Sequence, residues 1–194
     1  RWGYEVKGIP QNKAEIIVCT GNFHGRTTTI ISFSDEDDYR KNFGPLTPGF
    51  KVVTYGDSNA LADAITANTA AFLVEPMQGE GGIIIPPDGY LKRCHEICRD
   101  NNVLLIADEI QTGLGRTGKL LACDHEKVKP DALILGKALG GGILPVSMLL
   151  AKKEVMEIFV PGTHGSTFGG NPLAAAVGIE ALNVIVEEQF AKRS

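Results

Sequence analysis

The sequence predicts an α/β fold, a mostly parallel sheet with helices on both faces. Three observations carry that prediction. Short apolar runs that do not alternate with polar residues recur along the chain, as expected of strands covered on both sides. Helical periodicity fills several of the intervals between them, the pattern of right-handed strand-helix-strand crossovers. There are 23 glycines among 194 residues, about 12% against an average near 7%, and the excess sits in clusters at 79–82, 113–118, 140–142 and 169–170, just after apolar runs or just before helical stretches. Turns gathered at one edge of a sheet read this way.

The first strand is Ile16 to Cys19 and the second Val52 to Thr54. Asp57 or Ser58 can cap a helix carrying Leu61, Ala62 and Ile65. Ala71 to Val74 is the third strand. Asp88 can cap a helix through Cys98, where Leu91, Cys94, His95 and Cys98 follow the i, i+3, i+4, i+7 stripe of an amphipathic helix. Val103 to Ala107, Ala132 to Leu135 and Ser147 to Ala151 complete the strands. Asn171 followed by Pro172 opens another helix, with Leu173, Ala176, Val177, Ala181 and Val184 expected on one side of it.

At this length one large domain, or one with an extension, is expected. Nineteen Lys and Arg against 23 Asp and Glu give a net charge of -4 with 43% hydrophobic residues, an ordinary globular balance. A nucleic-acid binder held by a basic face is argued against, because neutralising phosphates requires clustered cations. The longest apolar stretches are strand-length, far short of a membrane-spanning helix. The amino end at Arg1 lacks an initiator Met and the apolar core of a secretion signal, and reads as cut from a longer chain. Four cysteines do not make a disulfide framework, so a reducing compartment is expected. Cys94 and Cys98 flank His95 on one helix face, but no second Cys/His pair completes a tetrahedral metal site. Buried thiols, with no metal, are the expectation.

Gly113 to Gly118 satisfies G-x-G-x-x-G, and Gly113 to Lys119 satisfies most of a phosphate-binding loop. Leu120 stands where that loop needs a hydroxyl for magnesium, and no helix cap follows. A nucleotide-binding module built on Gly113–Lys119 therefore remains only a lesser alternative.

Three features close predicted strands, where open α/β sheets place their ligands. Asp108 ends the strand beginning at Val103. Lys137 sits in Gly136-Lys137-Ala138-Leu139-Gly140-Gly141-Gly142 after Leu135, among small residues that leave room for a planar ligand. Phe23-His24-Gly25-Arg26 follows Thr20 and offers an aromatic face and a carboxylate-binding fork. An imine-forming lysine, an acid able to hold a ring nitrogen protonated and an aromatic face are what pyridoxal 5'-phosphate requires.

Glu75-Pro76-Met77-Gln78-Gly79-Glu80-Gly81-Gly82, Ile106 to Gly113, Gly136 to Gly142 and His164 to Pro172 resemble, in order and spacing, the class III pyridoxal-phosphate aminotransferases. The resemblance covers essentially the whole chain. It implies the large domain of the fold-type I pyridoxal-phosphate transferases, like that of aspartate aminotransferase. Residues 1–194 would be its central part, with an N-terminal segment and a C-terminal small domain outside the chain. Gly21 to Thr27, Pro87 to Leu91, Gly113 to Lys119 and Ala122 to Glu126 are most similar to the branch that moves the δ-amino group of L-ornithine to 2-oxoglutarate. Other members, acting on N-acetylornithine or 4-aminobutyrate, share the core motifs.

The resemblance implies Lys137 as the lysine that bonds the cofactor and then transfers protons. It implies Asp108 on the pyridinium nitrogen, Gln111 on the ring's phenolic oxygen and Phe23 stacked on the ring. Thr167, with Ser166 nearby, would reach the cofactor phosphate of the other subunit of a homodimer. Arg26 would receive a 2-oxoglutarate carboxylate, and Glu80 would switch its pairing with an arginine outside this chain. Glu75 and Glu109 would orient neighbours. The mitochondrial matrix and the cytosol both fit.

Overall fold

The computed structural model describes residues 1–194 and divides into two compact units, Arg1–Ala107 and Asp108–Ser194. The first unit is built on parallel strands in the order β2-β1-β3-β4, with β1 at Glu15–Cys19, β2 at Phe50–Val53, β3 at Thr69–Val74 and β4 at Leu104–Asp108. The last residue of β4, Asp108, already belongs to the second unit. Ile16 of β1 stands opposite Phe50 on one side and Ala71 on the other, and Ala71 is opposite Leu104. Ile17, Val18 and Cys19 are buried in succession, as are Ala71 to Val74. Consecutive burial means both sheet faces are covered, which is why these runs do not alternate.

Two helices pack on each other in this unit. In α1 (Ser58–Ala64), the Asp57 carboxylate accepts the N–H groups of Asn59 and Ala60 at 2.9 and 3.1 Å, a side-chain cap. Ile65 is already extended and lies past the helix end. In α2 (Tyr90–Asp100), the expected Asp88 cap is replaced by Gly89. Its φ of +79 is the left-handed conformation that glycine adopts without steric cost. Leu91, Cys94 and Cys98 are buried as expected, and Ile97 joins them, whereas His95 is only half-buried. The strand order reverses at β1 and β3, so their C-terminal ends form a crevice of the kind in which open α/β sheets bind ligands.

In the second unit β5 (Ala132–Leu135) pairs with β6 (Met148–Ala151), Ala132 opposite Ala151 and Leu135 opposite Met148. This pair is antiparallel, a departure from the parallel pattern. The connection over 136–147 holds only a 3-10 turn at Lys137–Gly140, and a parallel return usually needs a full crossover helix. Met148, Leu149 and Leu150 are exposed, so β6 lacks the two-sided cover its apolar run suggested.

The long helix α3 (Pro172–Glu187) begins as expected, with the Asn171 side chain accepting the Ala174 N–H at 2.8 Å and proline in the first turn. Its inward residues are Gly178, Ala181 and Ile185, whereas Leu173 and Val184 are exposed. The helix is apolar nearly all round, so periodicity did not select a face. Packing did: α3 lies against the Lys137–Gly140 turn, and Leu139 comes within 3.8 Å of where a Cβ on Gly178 would stand. Leu114, Leu135, Leu139 and Ile185 form the core of this unit. No helix is long and apolar enough to cross a membrane.

Candidate functional site

In the second unit β5 delivers Gly136 and then Lys137. Lys137 opens the 3-10 turn with φ +42, in the left-handed region where a side-chain-bearing residue pays about 1–2 kcal/mol. Such conformations persist where the surroundings impose them, and they concentrate at working sites. Gly141 and Gly142 follow at φ +59 and +73 and carry the chain away from the lysine. The Lys137 side chain is exposed to solvent and lines a cavity of about 930 Å³, within the roughly 300–1,000 Å³ typical of small-molecule pockets. Gln111 lines the same cavity, with Gly141 and Gly142 contributing no side-chain bulk.

Asp108 is buried, and one carboxylate oxygen accepts the Ile110 N–H at 3.0 Å. It does not line the cavity. The Glu109 N–H donates to the Ile134 carbonyl at 2.9 Å, so the chain after Asp108 runs beside the strand that leads to Lys137.

Glu109 itself is 1% exposed. Its Oε2 accepts from the Thr112 hydroxyl at 2.9 Å and the Ala122 N–H at 2.7 Å, and its Oε1 accepts from the Cys123 N–H at 2.8 Å. Three donors on one buried carboxylate tie both ends of the 109–123 loop together, and Gln111 lies inside that loop. This is the orienting role expected of Glu109. Burial and the adjacent Glu109 carboxylate push the Cys123 thiol well up, so it stays protonated.

The Gly113–Gly118 stretch is a chain of turns, with the Arg116 N–H on the Gly113 carbonyl and the Gly118 N–H on the Gly115 carbonyl. It leads into a 3-10 turn at Ala122–His125. A phosphate loop works by aiming a helix N-terminus at the anion, and no such helix follows. A Cβ on Gly113 would stand 2.7 Å from the Glu109 carbonyl, so close backbone approach accounts for glycine there.

Ser166 and Thr167 lie on a fully exposed stretch, where the Ser166 hydroxyl accepts the Gly169 N–H at 3.0 Å. Within the second unit they stand apart from the cavity wall.

In the first unit the loops leaving β1 and β3 are laced together. The Phe23 N–H donates to Glu75 Oε2 at 3.1 Å, and the buried Gln78 amide donates to the Thr20 carbonyl at 2.7 Å. Glu75 thus orients a neighbour, as expected. A Cβ on Gly81 would stand 2.9 Å from the Gly21 carbonyl. Glu80 is exposed at the tip of a tight loop closed by Gln78 and Ile84, whose backbones exchange hydrogen bonds at 3.1 and 2.9 Å. Deeper in, burial pushes the Cys19 thiol up to about 12, with the Tyr90 hydroxyl 3.5 Å from its sulfur.

Arg26 is exposed, and its guanidinium carbon lies 3.6 Å from the ring centroid of Tyr39 and 5.3 Å from that of Phe23. It makes no ion pair, so the surface salt bridge that would be the plainest use of such an arginine is not formed. Tyr39 was not legible as a site residue. It stands in the polar run Asp37-Asp38-Tyr39-Arg40 with no motif around it, and only the fold-back of the chain brings it to Arg26.

The family model described as Aminotransferase class-III matches residues 1–194. The chain is 60% identical over 194 residues to an ornithine aminotransferase from Brevibacillus brevis, covering all of this chain and 49% of that protein. It therefore spans about half the length of the curated relatives it matches. An ornithine aminotransferase structure from Toxoplasma gondii, crystallised with oxidised glutathione and described with partial occupancy of PLP at its active site, superposes with a TM-score of 0.98. The two are 56% identical over 99% of this chain and 45% of that one. An acetylornithine aminotransferase from Elizabethkingia anophelis is similar at a TM-score of 0.85 and 56% identity, over 99% of this chain and 47% of its own.

Proposed function

The chain belongs to the class III aminotransferase family, and from that premise we propose that it is the central part of the large domain of a pyridoxal-phosphate-dependent ornithine aminotransferase. The reaction is transfer of the δ-amino group of L-ornithine to 2-oxoglutarate, giving glutamate 5-semialdehyde and glutamate. The observation that carries this reading is Lys137, held in a left-handed turn on the wall of a cavity it shares with Gln111.

The residues present fit the cofactor. Glycines at 141 and 142 line the cavity with Lys137 and add no side-chain bulk to it, as a flat ring requires. Lys137 would hold it covalently, Asp108 would face its ring nitrogen, Gln111 its phenolic oxygen and Phe23 its ring face. Thr167 and Ser166 would serve the phosphate from the other subunit of a homodimer, a role consistent with their full exposure. Pyridoxal phosphate, when bound, supplies an electron sink for the substrate carbon that loses its proton.

The chain's own residues supply the rest. Freed when the substrate amine takes its place, Lys137 Nζ would take the proton from the carbon bearing that amine and give it up later in the transfer, as a general base and then acid. Asp108 is a buried carboxylate and so favours a cation against it. Gln111, inside the loop pinned by Glu109, presents its amide from a fixed backbone. Arg26 receives the oxo-acid carboxylate. Glu80 would change partners as the two substrates alternate, a role that its exposure at a loop tip supports.

N-acetylornithine is the second reading for the amine donor, favoured by the equal 56% identity to the acetylornithine enzyme. Half-reactions of the full-length protein with each amine discriminate the two, since only a true donor bleaches the cofactor's absorbance. Borohydride reduction followed by peptide mapping tests the core of the proposal. A pyridoxyl mass on the peptide containing Lys137 is expected, and its presence on a different lysine would overturn the assignment.

A further inference from the structure

We propose that Tyr39 is the positioning residue of the oxo-acid receptor: its ring face holds the Arg26 guanidinium flat and leaves the N–H edge for an incoming carboxylate. The proposal rests on the reading of Arg26 given above and adds a residue to it.

A separation of 3.6 Å between guanidinium carbon and ring centroid is stacking distance. Tyr39 in turn meets Phe23 edge to face, with centroids 6.1 Å apart and planes at 76°. Phe23 is anchored through its backbone N–H to Glu75. Arg26 is therefore tied, ring by ring, to the loop that leaves β3.

The neighbouring acids make the stacking informative. Asp35, Glu36, Asp37 and Asp38 stand in the same segment as Tyr39, yet none of them pairs with Arg26. Asp35 accepts the Gly21 N–H at 2.7 Å instead. Stacking occupies the guanidinium's face, while an ion pair would occupy its edge. The five N–H donors lie in the plane, so an arginine held by its face keeps all of them for a ligand. A carboxylate received side-on uses two of these in parallel. A free surface arginine loses rotamer freedom when it binds; one already stacked has lost it beforehand, and its affinity is higher for that reason.

The test uses the full-length holoenzyme and glutarate, an unreactive dicarboxylate, with binding followed by calorimetry and the KM for 2-oxoglutarate measured beside it. Tyr39→Phe keeps the ring face and is expected to bind glutarate within about twofold of the parent. Trifluorinated phenylalanine at position 39 keeps the shape but drains the negative face of the ring. Binding about fivefold weaker than in Tyr39→Phe is expected, with KM raised in parallel and kcat at saturation unchanged. Arg26→Ala is the control for the receptor itself, with glutarate binding expected to fall by a hundredfold or so. If Arg26→Ala binds glutarate like the parent, the reading of Arg26 fails and this inference with it. If Arg26→Ala loses glutarate while the fluorinated ring binds as well as phenylalanine, the receptor stands and the role of Tyr39 is overturned.

Discussion

The first unit, Arg1–Ala107, buries Ile17, Leu61, Phe72 and Leu105 completely, along with most of β1 and β3. The second, Asp108–Ser194, carries Lys137 and its cavity, and leaves Ile143, Met148, Leu149, Leu150, Leu173 and Ile179 exposed. One unit closes a core around fully buried side chains. The other supports a lysine in a strained conformation with a small core cluster and a single pinned carboxylate. The lesson is that Lys137 stands in the unit with the smaller core, while Phe23, Arg26 and Glu80 are carried on loops of the unit that buries its side chains most completely.

The sharpest way to break that contrast is at Lys137. Lys137→Ala in the full-length protein should lower transamination by roughly a thousandfold while leaving thermal stability near the parent's, because alanine keeps the Cβ and with it the cost of the left-handed turn while the amine alone is lost. Half-reaction kinetics and a melting curve together check this. A large loss of stability would mean that Lys137 holds the fold.

A paired substitution measures the packing side. Phe72→Ala should cost about 3–5 kcal/mol in denaturant unfolding, the toll of a large cavity in a closed core. Leu149→Ala, on the exposed face of β6, should cost no more than about 0.5 kcal/mol in the isolated chain. A cost above about 2 kcal/mol for Leu149→Ala in the full-length protein would show that this face is covered there.

Glu109→Gln comes next. In either orientation the amide turns an NH₂ toward a donor that the carboxylate had accepted from, so a loss of about 1–3 kcal/mol is expected. Unfolding curves of the two proteins check it.

The smallest effect is the pH dependence contributed by Cys19. Its thiol is raised in the folded state from 9.0 to about 12, so above pH 9 the unfolded chain releases this proton while the folded chain keeps it. Stability therefore declines as pH rises from 9 toward 12, and the decline should be shallower in Cys19→Ala. Melting temperatures at pH 8 and pH 10 for both proteins would show the difference.

Much of this was legible in the residues themselves. Asp57 and Asn171 announce their helices because a side-chain cap is a local device, and Ala132 to Leu135 coincides with β5 residue for residue. Lys137 was conspicuous because it closes an apolar run and stands among small residues that leave room for a planar ligand. The direction of β6 was hidden, since a four-residue strand does not record whether its connection crosses over or turns back. The inner face of α3 was hidden too, because a helix apolar on every side leaves the choice to its neighbours. Tyr39 was beyond reach for a third reason: its contact with Arg26 is long-range, made by side chains that no periodicity or motif links.

The approach of Gly81 to Gly21 bears on any attempt to diversify the loop that carries Glu80. A side chain at position 81 would collide with main chain at 2.9 Å, and main chain cannot step aside as a rotamer can. Saturation libraries spanning this loop will return a single amino acid at 81, and variety must be sought at its flanks, beginning with Glu80 and Ile83.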